Sequence, residues 1–149
     1  MKDIPESEAL AILSQQKFCY DCSWVPVKTQ SFAKEASVGL VDKDGKRIRL
    51  LVKLICHMQP TVGLTNYIFT LFSQKITGLE RVYQLEIKQY KKIIKSKHQL
   101  PHEHIGSKRV DGSDTWARWG YDEALNYFTN KTNITFIPPV SHPDNFELE

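Results

Sequence analysis

The sequence predicts an α+β fold in which an antiparallel meander of four to five strands lies between an N-terminal and a C-terminal helix. Three observations predict it. Apolar residues recur at helical spacing near both ends of the chain, period-two alternation runs through its centre, and an Asp-Gly pair separates two apolar segments. The 149 residues are 41% hydrophobic and 25% charged, which is typical of one globular domain over 1–149. This composition excludes a disordered chain and a disulfide-dense miniature scaffold.

The first predicted element is a helix over residues 6–17. Glu6 and Glu8 place negative charge at its N-terminal end, where the helix dipole is positive. Its apolar stripe consists of Ala9, Leu10, Ile12 and Leu13.

The central segments are predicted to be strands. Residues 38–41 and 48–55 flank Asp44-Gly45, a dipeptide typical of a hairpin turn. Residues 66–74 and 81–90 alternate with a period of two and are rich in aromatic and β-branched side chains. These segments together form the predicted meander.

The last third of the chain has a different character. The end of the meander leaves an alternative open, because residues 90–95 also suit a helix. Residues 98–120 are predicted as a long connection, and residues 121–130 as the C-terminal helix. Residues 134–137 suit one more short strand, and the tail over 138–149 is predicted to be extended because it begins with two prolines.

The cellular compartment is predicted from apolar segments, the opening residues and the number of cysteines. The chain has no run of 18 apolar residues, so it is not expected to span or contact a membrane. Its opening residues are charged rather than apolar, unlike those of a secretory signal. Three cysteines, an odd number, are typical of reduced thiols. The prediction is a cytoplasmic protein.

The cysteines leave three interpretations open. Cys19 and Cys22 form a C-x-x-C pair, and Cys56 with His57 would supply two more ligands for a structural zinc. A redox pair would need the first cysteine at a helix N-terminus, which the residues after Cys22 do not predict. Ordinary buried thiols are the interpretation we favour.

Positive charge is concentrated in one segment. The net charge of the chain is only +3, but residues 75–110 hold nine Lys and Arg against three Asp and Glu. Residues 111–149 hold two against seven. Such a cluster neutralises phosphates and attracts polyanions, although charge runs are also ordinary solvated surfaces. The predicted nucleic-acid-binding lysines are Lys88, Lys91, Lys92, Lys95 and Lys97.

A histidine pair follows this basic segment directly. In an extended chain His102 and His104 share one face and Glu103 lies on the other. Two adjacent imidazoles suit general acid and base work at neutral pH. On RNA, one would take the proton of the 2′-hydroxyl and the other would protonate the leaving oxygen. Lys108 or Arg109 would stabilise the transition-state charge, and no metal or cofactor is required.

Two other roles for the pair remain open. A His-x-His pair also binds metals, with Asp111 or Asp114 as a further ligand, and it also occurs simply as buried structural residues.

The aromatic residues around Arg118 allow two interpretations as well. Trp116, Trp119 and Tyr121 flank this arginine, which suits stacking on bases, with Arg118 as a nucleic-acid contact. The same aromatics also suit an anchor that holds the loop onto the sheet.

The order of these features resembles a family of small, uncharacterised bacterial and phage proteins. The resemblance rests on Pro101-His102-Glu103-His104, Gly112, Trp116-Ala117 and Thr132-Asn133-Ile134. It covers the last third of the chain. The chain is also loosely similar to the TumE-like toxins of toxin–antitoxin modules, which combine strands with a His-rich basic loop and a C-terminal helix. The Asp-rich element that precedes the histidines in those toxins is absent here.

Two functional hypotheses result. The first is a nucleic-acid-directed protein of a bacterial or phage conflict system, acting on RNA as a metal-independent endoribonuclease. The second is a non-enzymatic inhibitor or antitoxin-like module that docks a protein partner through segregated basic and acidic surfaces.

Overall fold

The computed structural model describes residues 2–59, 61, 63–89 and 100–143. Its helices are α1 (Glu6–Ser14), a 3-10 helix (Asp114–Arg118) and α2 (Tyr121–Thr132). Its strands are β1 (Lys2–Asp3), β2 (Lys17–Tyr20), β3 (Val25–Pro26), β4 (Ala33–Val41), β5 (Arg47–Gln59), β6 (Leu64–Lys75), β7 (Gly78–Lys88), β8 (His102–Ile105), β9 (Lys108–Asp111) and β10 (Ile134–Ile137).

These strands form one mixed sheet in the order β10-β2-β4-β5-β6-β7-β8-β9, with β1 beside β7 and β3 beside β4. The predicted α+β meander of four to five strands is therefore wrong. The antiparallel centre, β4 to β7, is present, but six further strands extend the sheet. Two of the pairings are parallel, β10 with β2 and β1 with β7. Parallel pairing joins segments far apart in the chain, so local periodicity does not reveal it.

The first hairpin confirms the turn that Asp44-Gly45 predicts. The Asp42 carboxylate accepts hydrogen bonds from the backbone N–H groups of Asp44 (2.9 Å) and Lys46 (3.0 Å). Gly45 has φ of 81° and its N–H donates to the Asp42 carbonyl. The turn thereby aligns Val41 with Arg47 across the two strands.

The segment over 98–120, predicted as a long connection, contains the hairpin of β8 and β9. Residues 102–105 and 108–111 pair across a two-residue turn at Gly106 and Ser107. Gly106 has φ of 56°, and a Cβ there would meet the backbone of Ile4 and Pro5. A glycine therefore suits this turn, and the connection prediction over 98–120 is wrong for these residues.

The two helices pack on one side of the sheet, which we call the helix face. Phe128 of α2 contacts Phe69 (centroids 5.7 Å apart) and Tyr83 (5.9 Å). α1 contacts β7 and β8 and also touches α2. The opposite side of the sheet is called the open face below. The core therefore lies between the helix face and the two helices.

Helix α1 ends three residues earlier than predicted, and Lys17 begins β2. This lysine is fully buried. Its ammonium donates to the carbonyls of Gln15 (2.6 Å) and Thr132 (2.7 Å), and more weakly to that of Leu13 (3.5 Å). Carbonyls at the ends of both helices thus share one cation, which is the charge that helix C-termini favour.

The chain after β10 packs on the core. The indole of Trp24 donates to the Ser141 carbonyl (2.8 Å), and Tyr121 donates to that of Val140 (3.4 Å). The rest of the predicted extended tail, residues 144–149, and the alternative helix over 90–95 lie outside the described residues.

Among the residues that the structure describes, no helix has the length and apolar character needed to span a bilayer.

Candidate active site on the open face of the sheet

His102 and His104 share one face of β8, as the sequence predicts, and this is the open face of the sheet. In β8 they alternate with Glu103, which is 2% exposed and accepts a hydrogen bond from Tyr83 on the helix face. Lys131 of α2 lies 3.6 Å from the same carboxylate. Glu103 therefore fastens the middle of β8 to the helix layer. The two imidazoles stand on the other side of a firmly held strand.

The two rings contact each other edge to face. Their centroids are 4.9 Å apart and their planes make an angle of 85°. Cross-strand pairing places Glu86 and Gln84 of β7 opposite His102 and His104. Asp111 and Arg109 of β9 pair with the same two histidines from the other side, in register.

Both nitrogens of His102 are engaged. Nε2 lies 2.8 Å from an oxygen of Glu86, and Nδ1 lies 3.2 Å from the carbonyl of Leu100. The His102 side chain is 11% exposed, whereas that of Glu86 is 39% exposed. Solvent therefore reaches the pair from the carboxylate side.

Burial and neighbouring charge adjust the protonation of this site. Burial, followed by electrostatic interaction with Arg81 and His102, lowers the pKa of His104 to about 4, although Glu86 and Asp3 oppose the shift. The hydrogen bond from His102 holds the pKa of Glu86 below its ordinary value, against the effect of burial. His104 is therefore neutral and Glu86 ionised at neutral pH.

A second layer of polar contacts supports the histidines. Arg81 donates two hydrogen bonds to Asp3 of β1 (2.8 and 3.0 Å) and one to Gln84 (2.8 Å). Gln84 in turn donates to Thr70 of β6 (3.0 Å). The N-terminal strand thus neutralises the guanidinium that lies near His104.

The two cations predicted to stabilise the transition state are separated by the sheet. Arg109 is the cross-strand partner of His104 and donates to Asp111 (3.0 Å). Lys108 alternates with Arg109, so its side chain points to the helix face. There it pairs with Glu6 of α1 (3.7 Å). Of the two, only Arg109 shares the face of the histidines.

The predicted nucleic-acid contacts are only partly described. Lys88 follows Glu86 by two residues in β7 and is exposed on the same face. Lys91, Lys92, Lys95 and Lys97 lie outside the described residues.

Arg118 and its neighbouring aromatics are not brought to the histidines. Arg118 donates to the Asp114 carbonyl within the 3-10 helix (3.4 Å). Trp116 stacks on Trp119, with centroids 4.9 Å apart, and both rings contact Tyr127 of α2. These indoles therefore anchor the connection to the helix layer, which is the second of the two sequence-based interpretations.

One group of metal-ligating side chains is found among the described residues, and it consists of Glu86, His102 and His104. Their ligand atoms all lie within 4.8 Å of one another. Glu86, rather than Asp111 or Asp114, is the carboxylate of this group. Neither Cys19 nor Cys22 belongs to it, and both thiols are buried. Cys56 is buried on the helix face, and alternation in β5 places His57 on the other face.

Sequence reasoning missed Glu86, Gln84, Arg81 and Asp3. The alternation over 81–90 already placed Gln84 and Glu86 on the polar side of a strand. The alternation does not give the register of β7 against β8. A short turn of known type would fix that register, and the sequence between the two strands contains no such signal.

No protein-family model matches the chain, and neither curated proteins nor solved structures include a significant match.

Proposed function

We propose that this protein acts on RNA and cleaves its phosphodiester bonds at the histidine pair without a metal ion. The observation that supports the proposal most strongly is the pair itself. His102 and His104 stand 4.9 Å apart on the open face, with Glu86 beside one ring and Arg109 opposite the other. Side-by-side imidazoles next to a fixed cation are the groups that internal phosphoryl transfer in RNA needs.

The hydrogen bonds support one division of roles between the two histidines. His104 is the base, because both nitrogens of His102 already face oxygen acceptors. His104 takes the proton of the 2′-hydroxyl, and this oxygen attacks the adjacent phosphorus. The bond from phosphorus to the 5′-oxygen breaks, and the N–H that His102 directs at Glu86 protonates this leaving oxygen. The products are a 2′,3′-cyclic phosphate and a 5′-hydroxyl.

The remaining groups bind and orient. Glu86, the more exposed partner, moves aside when the leaving oxygen approaches His102. Arg109 faces the phosphorane charge from β9, and Lys88 extends positive charge along the same face. The basic run over 91–97 continues from β7 in the sequence and is proposed to hold the flanking phosphates. A bacterial or phage conflict system, with resemblance to TumE-like toxins, is proposed as the setting.

Cleavage of end-labelled RNA in buffer containing EDTA tests this proposal. We expect wild-type protein to produce cyclic phosphate ends, and His104→Ala to lose activity by about 100-fold or more. His57→Ala is the matched control, because His57 lies on β5, three strands from β8. Absence of cleavage by the wild type, or equal cleavage by His104→Ala, would contradict the proposal.

A further inference from the structure

We infer that Glu86, His102 and His104 form a binding site for a divalent transition-metal ion, and that the ion competes with the proposed cleavage of RNA. The metal site stands on the geometry alone. Its effect on cleavage rests on the proposed function. The donor atoms lie within 4.8 Å of one another, two on alternate positions of β8 and one, Glu86, across from His102 on β7.

The orientation of His102 is that of a metal ligand. A ligating histidine ordinarily donates its other ring N–H to a carbonyl or carboxylate, which fixes the tautomer. His102 Nδ1 lies 3.2 Å from the Leu100 carbonyl, and because a carbonyl oxygen only accepts, Nδ1 is assigned as the donor of this contact. Nε2 donates its proton to the Glu86 carboxylate, 2.8 Å away, and its lone pair becomes available there when a metal ion replaces that proton. Two electron-pair donors at this distance need a cation between them, either a proton or a metal ion.

Little movement is needed to close the site. Ligands at about 2.0–2.2 Å from one ion lie roughly 3.0–3.5 Å from each other. The distance from His102 to Glu86 is already shorter than this. The remaining donor pairs lie no more than 4.8 Å apart, so they approach by about 1.3 Å at most to reach the upper end of that range.

The donor set selects the kind of ion. Two imidazole nitrogens with one carboxylate oxygen suit zinc, cobalt, nickel or iron, whereas magnesium and calcium prefer oxygen ligands. Three protein ligands leave at least one coordination position for water or another ligand. The nearby positive charges are already paired, Arg81 with Asp3 and Arg109 with Asp111. These ion pairs reduce the repulsion that an entering cation would meet.

Metal and RNA then use the same atoms. Coordination occupies the His104 nitrogen that accepts the substrate proton and the His102 nitrogen that protonates the leaving group. An occupied site is therefore inactive, and the activity depends on the free concentration of the metal.

Cobalt binding to chelator-stripped protein tests the site directly. We expect one Co²⁺ per chain, with visible ligand-field bands and without the near-ultraviolet charge-transfer band of a thiolate–cobalt bond. Glu86→Gln and His104→Ala should each weaken binding at least about tenfold. His57→Ala should bind as the wild type does. Equal binding by all four proteins, no binding by the wild type, or a thiolate band would overturn the inference.

The change in Tm on addition of Co²⁺ is a second measurement of binding, and it also serves for variants that are less stable than the wild type. Co²⁺ is expected to raise the Tm of the wild type and of His57→Ala, because a ligand that binds only the folded state stabilises it. It should raise the Tm of Glu86→Gln less at the same Co²⁺ concentration, and an equal rise in that variant would contradict the site.

Repeating the RNA assay with added Co²⁺ separates the two proposals. Inhibition of the wild type, relieved by EDTA, is expected. Cobalt binding without cleavage in EDTA would overturn the proposed function and leave the metal site intact. Cleavage that cobalt leaves unchanged would overturn the competition.

Discussion

At the scale of residues, the open face is characterised by the side chains that surround His102 and His104. His102 and His104 were identifiable from their spacing, because alternation along an extended chain puts them on one side. Glu86 was not identifiable, because it comes from another strand and touches His102 only through the register of β7 against β8. The site that was predicted as two histidines and two cations is therefore two histidines, one carboxylate and one arginine.

Lys17 is the residue whose role the sequence concealed most. It was predicted to be the last residue of the first helix, yet it begins β2, is fully buried and is bonded to carbonyls at the ends of both helices. A lysine in this position is recognised only once the two helix ends are known to meet.

Replacement of Lys17 by Met should therefore be costly. We expect a loss of about 2–4 kcal/mol in the free energy of unfolding, since the buried carbonyl of Thr132 would lose its lysine donor and the bond to the part-buried carbonyl of Gln15 would also be lost. Urea denaturation measures the loss. Lys43→Met, at an exposed turn position, should change stability by no more than about 0.5 kcal/mol. Equal stability of the two variants would contradict the role of Lys17.

The same lysine predicts a pH dependence. Burial lowers the pKa of Lys17 from 10.5 to about 8. Between these two values the unfolded chain binds the extra proton, so the contribution of Lys17 to stability rises with pH across that range. The stability difference between wild type and Lys17→Met should therefore increase from pH 8 to pH 10. A difference that falls over this range would contradict the shift.

At the scale of elements, both helices and the central hairpin were predictable. Helix α2 begins where Asp122 and Glu123 indicated, and the Asp-Gly turn lies between β4 and β5. β8 and β9 were missed because they lack the alternation of apolar and polar residues that marks a half-buried strand. Their histidines and arginine face the open side, while the residue that enters the helix layer is a glutamate.

The hairpin that carries the histidines makes a prediction at Gly106. Both Gly106 and Gly45 have positive φ, so alanine at either position costs about 1–2 kcal/mol from backbone strain. A Cβ at Gly45 meets nothing within 4 Å, whereas one at Gly106 meets the backbone of Ile4. Gly106→Ala should therefore destabilise the protein more than Gly45→Ala in urea denaturation. The opposite order would contradict the packing of the N-terminal segment against this turn.

At the scale of the whole molecule, the order of strands in the sheet could not be predicted from local sequence patterns. The sheet is completed by β1 and β10, two short strands that pair in parallel with strands far away in the chain. Such pairings are fixed by tertiary packing rather than by periodicity. The antiparallel segment from β4 to β7 was predictable because its hairpins are local, whereas the predicted sheet of four to five strands was wrong.

Part of the charge that is segregated along the sequence is paired in the folded protein. The acidic last third supplies Asp111 to Arg109, and its Lys131 pairs with Glu103 of the basic segment. Part of the opposite charge is thus used within the fold. Docking of a protein partner through these surfaces stays a prediction.

The histidine pair is proposed to transfer protons on RNA. The most direct measurement uses a DNA strand that contains a single ribonucleotide, incubated with the protein in EDTA. We predict one cut, directly after the ribonucleotide, with a 2′,3′-cyclic phosphate end, and its loss in His104→Ala but not in His57→Ala. Cleavage at deoxynucleotides, or cleavage that His104→Ala retains, would contradict the account.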